Sequence, residues 1–418
     1  MSNTLKFGNG EWYGKEGTIL AYNSENNNYK PLPFNFERDS VATRVNKQGL
    51  IETVGADQPR IDYSNDSNGA LKLEPSRTNL AAYSEDFSQS YYPTTGSSVQ
   101  GGFDSPSVYS NLGSFKLIED TSNGRHGINH TFVGITSNTD YSFSINIKPN
   151  GRQWVYFKPF DWIGSYVWFD VLNGVVGNIS NHPSFIFKNA KINKIANGFF
   201  NVSFSVNTTF PQIQIGLALT TSNDVFTNYI GDGTSGVYIY GAQFEQGSYP
   251  TSYIPTQGGV VTRLADSCTN GGNEQVINST EGVLMVEISA LESNVATNDA
   301  ISIIGASSDN RLYIYRSNTD NKYGFAVFSG GSLQCNIKTD IVDFSVNAKI
   351  AAKYKLNDFA LYLNGTQVAT DSSGSAPIGL NSLQFNSGAG QPFFGNVKDL
   401  KLYNTALTDQ ELQALTTI

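Results

Sequence analysis

Apolar and polar residues alternate with a period of two along most of this chain. Residues 141–147 (YSFSINI), 200–206 (FNVSFSV), 212–217 (QIQIGL) and 237–240 (VYIY) each set an apolar row against a polar one. That period marks strands with one buried and one wet face, as antiparallel sandwiches require. A helical signature occurs at the end. Thr408 stands as an N-cap, Glu411 completes a capping box, and Leu412 and Leu415 share one helical face. The pattern predicts an all-β chain: a small leading β module followed by two antiparallel β-sandwiches.

The length of 418 residues calls for two or three β domains. Breaks in the alternation place a leading module at 1–82, a first sandwich at 83–258, a linker at 259–275 and a second sandwich at 276–418. The leading stretch carries few apolar residues for its length and is expected to complete its burial against another protein or another copy. Arg38, Arg44, Arg60 and Arg77 recur there beside Asp39, Asp62 and Glu74. In so lightly charged a chain, structural ion pairing is their expected role.

Charged residues make up 15% of the chain and the net charge is −9. Lysine and arginine are scattered, so the basic footprint of a nucleic-acid binder is missing. The first ten residues are polar and no apolar run is long enough to cross a bilayer, so neither a secretory leader nor membrane insertion is expected. Cys268 and Cys335 are far apart and outside any CxxC spacing, which favours two free thiols over a disulfide framework. A chain made in a reducing cytoplasm and released later fits that usage.

Three stretches carry resemblances. Residues 36–52 (FERDSVATRVNKQGLIE), 59–63 (PRIDY) and 73–80 (LEPSRTNL) resemble a recurring module of tailed-bacteriophage virion proteins, which variable binding domains follow. The resemblance implies attachment to other virion proteins through residues 1–82. Residues 83–87 (YSEDF) and 241–245 (GAQFE) resemble the opening and closing strands of jelly-roll carbohydrate-binding modules. Residues 361–368 (LYLNGTQV) and 395–412 (GNVKDLKLYNTALTDQEL) resemble the hairpin and closing segment of concanavalin A-like, laminin-G-like lectin domains. In the hairpin, Asn364-Gly365 supplies the positive φ of a type I′ turn.

The residues give their own reason to look for a sugar site. Trp154, Tyr156, Trp162, Tyr166 and Trp168 crowd into one stretch. Sugar C–H faces stack on such rings, and polar neighbours fix the hydroxyls. Asp161, Asp170, Asn173, Arg125 and His126 are the available neighbours. Alternation puts Trp154 and Tyr156 on one strand face and Tyr166 with Trp168 on another. One of these pairs is expected in the core, and Trp162 is expected to be exposed. His126 and His130 lie too far apart on a strand to share a metal. Asp309 and Asn310 are weak calcium candidates, against an ordinary Asx-turn; no other cofactor is expected.

Glycosidases of the lectin-like shape carry alternating carboxylates on one strand. Glu287 stands alone on its strand, so no catalytic residues are assigned and no enzyme activity is expected. The expected function is a non-catalytic phage virion surface protein, a fibre or adhesin that binds host surface polysaccharide as a homo-oligomer, with a trimer fitting such fibres. Two alternatives stay open: a purely structural capsid or tail decoration protein, and a glycan depolymerase.

Overall fold

The computed structural model describes residues 4–8, 12–15, 18–20, 22–23, 34–103, 113–159, 164–224, 227–291 and 299–418. The fold is all-β, built of antiparallel sheets with one α-helix and one short 3-10 turn among the described residues. No helix is long and apolar enough to cross a membrane among those residues. Contacts group the chain into two units. A central unit holds residues 42–53 and 77–263, and a composite unit holds 1–41, 54–76 and 264–418.

This division departs from the sequence-based boundaries. Residues 1–82 are shared between the units and form no module of their own. Their thin core is completed within the same chain. Phe34, Phe36, Ile61, Leu71 and Leu73 bury in one cluster with residues such as Leu284, Ile314 and Leu400. The expected linker is also ordered. Val261–Arg263 pairs with Arg77–Asn79, and Ser267–Thr269 pairs with Phe34–Glu37.

The reason lies in buried charge. In the composite unit, Asp266 accepts from Arg38 Nη1 at 3.1 Å, from the Glu74 backbone N–H at 2.8 Å and from Arg60 Nη2. Arg60 Nη1 also donates to Glu74 at 2.6 Å. The side chains of Arg38, Arg60 and Asp266 are fully buried. Burial works against the Arg60 charge, but Asp266 and Glu74 outweigh it and hold its pKa above the usual arginine value. An unpaired buried charge is costly, so these residues tie the motif around Arg38, Arg60 and Glu74 to a partner some two hundred positions away. Arg38 and Arg60 take the structural pairing role expected of them, and Arg44 pairs with Glu52 at 2.7 Å.

The central unit packs two six-stranded antiparallel sheets face to face. One runs in the order Thr94–Thr95, Gly127–Val133, Gln212–Thr220, Trp154–Lys158, Tyr166–Asp170, Val175–Ser180. Rows such as Val155 and Phe157, Val167 and Phe169, and Leu217 and Leu219 fill the space between the sheets. In the composite unit, a nine-stranded sheet that includes Glu281–Ala290 and Gly395–Tyr403 shares a core with a five-stranded sheet. That second sheet is ordered Ser332–Lys338, Lys322–Ser329, Arg311–Ser317, Asp299–Ile304, Ser382–Gln384.

The helix Asp409–Thr416 carries the predicted capping box, with Thr408 and Glu411 bonded reciprocally. Its Leu412 is sealed against Val283, Met285 and Ala351. Asn364 and Gly365 have φ of 49° and 83°, the pair of positive values that a I′ hairpin needs. Cys268 and Cys335 are separate, buried thiols.

Candidate functional site

The aromatic stretch of the central unit adopts an arrangement that alternation alone did not give. Trp154–Lys158 and Tyr166–Asp170 are adjacent antiparallel strands, with Tyr156 directly opposite Trp168. Opposed residues point to the same face. Both aromatic pairs therefore lie together on the outer face of one sheet, and neither belongs to the core between the sheets. They form a cluster of their own with Ala218. The expectation that one pair sits in the core is corrected by this register.

Within the cluster, Trp168 and Tyr156 are closed to solvent, while Trp154 and Tyr166 are half-buried. Tyr156 and Trp168 ring centroids lie 5.9 Å apart, and Tyr166 and Trp168 5.3 Å apart. Burial raises the pKa of the Tyr156 hydroxyl. The two buried rings brace the two accessible ones. Trp154 lies opposite Asp170, at the far end of the strand pair from Tyr166. At about 3.3 Å per residue, that separates their positions by roughly 13 Å along the strands. The neighbouring strand contributes small residues, Gly216 opposite Lys158 and Ala218 opposite Tyr156. These leave a low floor beside the ring wall. At Gly177, an added Cβ would lie 2.8 Å from Trp154 and 2.9 Å from Trp168. Only glycine lets the edge strand approach the indoles.

The polar candidates divide. Arg125 is exposed and makes no hydrogen bond or ion pair among the described residues; its charge is felt at Tyr156. His126 is corrected: it is fully buried, and its ring nitrogens face the carbonyl oxygens of Gly96 and, at 3.2 Å, Tyr229. Asp170 is likewise occupied. It accepts from Gln153 at 2.7 Å and from the backbone and side chain of Asn173 at 2.9 Å, fixing the turn after its strand. Burial pushes its pKa up, but these bonds outweigh burial and hold it below the usual range. Asp161 and Trp162 lie outside the described residues. Sequence reasoning missed Lys158, which shares the Trp154–Tyr156 face, and Asn129, whose Oδ1 accepts from Gln214 on that face at 3.1 Å. Continued alternation would have found Lys158; Asn129 needed the strand order.

Asp309 and Asn310 brace loops. Asn310 Oδ1 accepts from the backbone of Gly330 at 3.1 Å and Ile378 at 3.3 Å, which takes it out of a cation's reach. No group of three or more histidine, cysteine or acidic residues suited to a metal occurs among the described residues.

Glu287 is not isolated in space. It lies opposite Asp399 on the adjacent strand, and both are buried. Burial, aided by Glu287, raises the Asp399 pKa despite Lys401, whose Nζ sits 2.5 Å away. Glu287 Oε1 accepts from Asn347 at 2.5 Å and pairs with Lys398 at 3.3 Å.

No curated protein matches the chain. Among solved structures, it is similar to the CBM40 domain of the Ruminococcus gnavus IT-sialidase, with 20% identity over 34% of this chain and 86% of that one, TM-score 0.30. Domain 4 of AbnA, a GH43 extracellular arabinanase from Geobacillus stearothermophilus, is 13% identical over 40% and 81%, TM-score 0.31. Mouse laminin alpha1 chain domains LG4-5 are 12% identical over 69% and 90%, TM-score 0.23. At these scores the likenesses carry no functional inference. Residues 291–413 match the family model of the concanavalin A-like lectin/glucanases superfamily, so this part of the chain is lectin-like in fold.

Proposed function

We propose that the chain is a non-catalytic glycan-binding protein of a tailed-phage particle. In this reading Trp154 and Tyr166 stack on the sugars of one oligosaccharide, and Arg125 and Lys158 contact its polar groups. The observation that carries it is the placement of four aromatic side chains on a sheet face opposite the core, with two of them still accessible. Accessible aromatic rings braced by buried ones are what stacking on a sugar requires. A separation of roughly 13 Å suits an extended oligosaccharide better than one sugar ring. Weak single sites would act together in an oligomer, a trimer by analogy with fibres. The virion setting rests on the resemblance of residues 36–80, and immunogold labelling of intact particles tests it.

The binding reading is tested on a printed oligosaccharide array with the full chain and its Trp154→Ala and Tyr166→Ala variants. Each variant should lose at least tenfold in binding to the glycans that the parent retains. Undiminished binding by both would remove the reading and leave the decoration role.

Glu287 and Asp399 favour one second reading, glycan cleavage. Directly opposed residues place their Cβ atoms about 5 Å apart, near the carboxyl separation of retaining glycosidases. Against it, Asn347, Lys398 and Lys401 already engage these carboxylates. Release of reducing ends from polysaccharide, lost in Glu287→Gln, would establish it.

A further inference from the structure

A second aromatic face stands on the outer side of the five-stranded sheet in the composite unit. Alternation sends Leu312 and Ile314 inward to the core and Arg311, Tyr313 and Tyr315 outward. Across the strand, Arg311 lies opposite Phe328, Tyr313 opposite Ala326, and Tyr315 opposite Gly324. The small partners make room for the rings: the Tyr315 ring lies directly over Gly324, where an added Cβ would collide with it. Tyr313 and Phe328 are half-buried and nearly parallel, with an interplanar angle of 13° and centroids 6.3 Å apart. Tyr315 is closed to solvent and donates its hydroxyl to Asn336 Oδ1 at 2.7 Å, which leaves the exposed Asn336 amide nitrogen facing outward chemistry.

Arg311 distinguishes this face from the first. Its guanidinium carbon sits 4.4 Å from the Phe328 centroid and 5.5 Å from that of Tyr313. Nη1 donates to the Ser308 carbonyl at 2.5 Å. Stacking and this bond hold the planar group in one orientation, yet no carboxylate pairs with it among the described residues. A pre-oriented guanidinium without an anion is suited to a bidentate contact with a carboxylate. Lys338, on the next strand, lies 5.9 Å over the Tyr315 ring. Its partner Asp320 offsets its charge, whereas Arg311 has no carboxylate partner among the described residues. Beneath this face Ser302 Oγ is buried and has no hydrogen-bond partner, a further polar group awaiting an acceptor or donor.

We propose that this face is a second glycan site, separate from the Trp154 face, and that it selects carboxylated sugars. A pyranose ring would stack on Tyr313 and Phe328, and its carboxylate would meet the edge of the Arg311 guanidinium. Charge complementarity names the occupant. A net charge of −9 repels polyanions in general, so binding of one requires a local cation with a specific geometry.

The test is affinity electrophoresis of the full chain through gels holding alginate, polygalacturonate or hyaluronan, with dextran as the neutral probe. The Arg311→Gln and Tyr313→Ala variants should each lose at least tenfold in affinity for one or more of the carboxylated polymers. Trp154→Ala should retain that affinity, and Lys355→Gln, which removes a lysine paired with Glu281 elsewhere, should leave it unchanged. Tryptophan emission gives a second readout, because this face contains no indole: carboxylated polymer should bind without shifting it. The proposal is overturned if no carboxylated polymer retards the parent chain, if Arg311→Gln binds as the parent does, or if Lys355→Gln weakens binding equally. Loss of carboxylate binding in Trp154→Ala alone would assign the ligand to the first face and also overturn it.

Discussion

Asp266→Asn tests the buried charge cluster with almost no change in volume. The amide would keep one acceptor oxygen and turn an NH2 group toward guanidinium donors. Arg60 would retain Glu74 at 2.6 Å. Arg38 would keep the carbonyl oxygens of Ser40, Gln58 and Gly55, at 3.0, 3.0 and 2.5 Å, but would lose the Asp266 carboxylate from its buried guanidinium. Removing one partner of a buried pair costs about 3–5 kcal/mol, and the surviving Glu74 contact keeps the expected loss within that range. With a urea slope of about 2–3 kcal/mol per molar, the midpoint of the composite unit should fall by about 1–2 M. Far-UV circular dichroism follows both units; with Trp12, which packs on the core of the composite unit, replaced by phenylalanine in parent and variant alike, the remaining tryptophan emission reports the central one. The first readout should show an early transition that the second lacks. A midpoint shift smaller than about 0.3 M, or an equal shift in the tryptophan signal, would refute the argument that these charges hold the composite unit together.

Gly177→Ala should displace Trp154 and cut oligosaccharide binding at least severalfold while the urea midpoint of the central unit stays within about 1 kcal/mol of the parent; an unchanged array profile would show that the indole position is irrelevant. Thr408→Ala removes the N-cap and should cost about 1 kcal/mol in the composite unit, read as a lowered urea midpoint. The central unit should also be acid-sensitive. Burial works against the Glu119 carboxylate, but Arg152, the Tyr229 hydroxyl and the Asp232 N–H outweigh it and depress its pKa. A depressed acid contributes stability that is complete above its unfolded pKa, about 4.3, and that is lost as pH falls through the folded value. Unfolding midpoints followed from pH 6 to pH 3 should therefore drop below about pH 4.5, with a shallower slope in Glu119→Gln.

Local signals were legible in the sequence. Alternation gave the strands around 141–147, 200–206 and 212–217, Asn364-Gly365 gave a hairpin, and Thr408 with Glu411 gave the helix start. Each depends on residues a few positions apart. The misread parts depend on partners far along the chain. Residues 259–275 look like a linker because Asp266 reads as a polar loop residue until Arg38 and Arg60 surround it. Residues 1–82 look as if they need another protein because their apolar residues are few; the surface that covers them lies later in the same chain, in strands after residue 280 for Phe34, Phe36, Ile61, Leu71 and Leu73 and around Phe199, Tyr240 and Tyr253 for Ile51. At the proposed sugar site, the ring positions followed from composition, but their common face followed from strand order, which alternation does not encode. His126 was drawn in by its neighbours in sequence, although the backbone turns it inward to two carbonyls.

The pairing of Thr4–Gly8 with Gly395–Tyr403 sets a timetable for biosynthesis. The two strands are about 390 residues apart, a stretch that takes on the order of 20–80 s to translate at roughly 5–20 residues per second. The central unit has all its residues once residue 263 is made, while Thr4–Gly8 can pair with Tyr22–Asn23 but still lacks Gly395–Tyr403. Chaperone shielding of Thr4–Gly8, or slowed translation before Gly395–Tyr403 is made, would bear directly on the yield of folded protein.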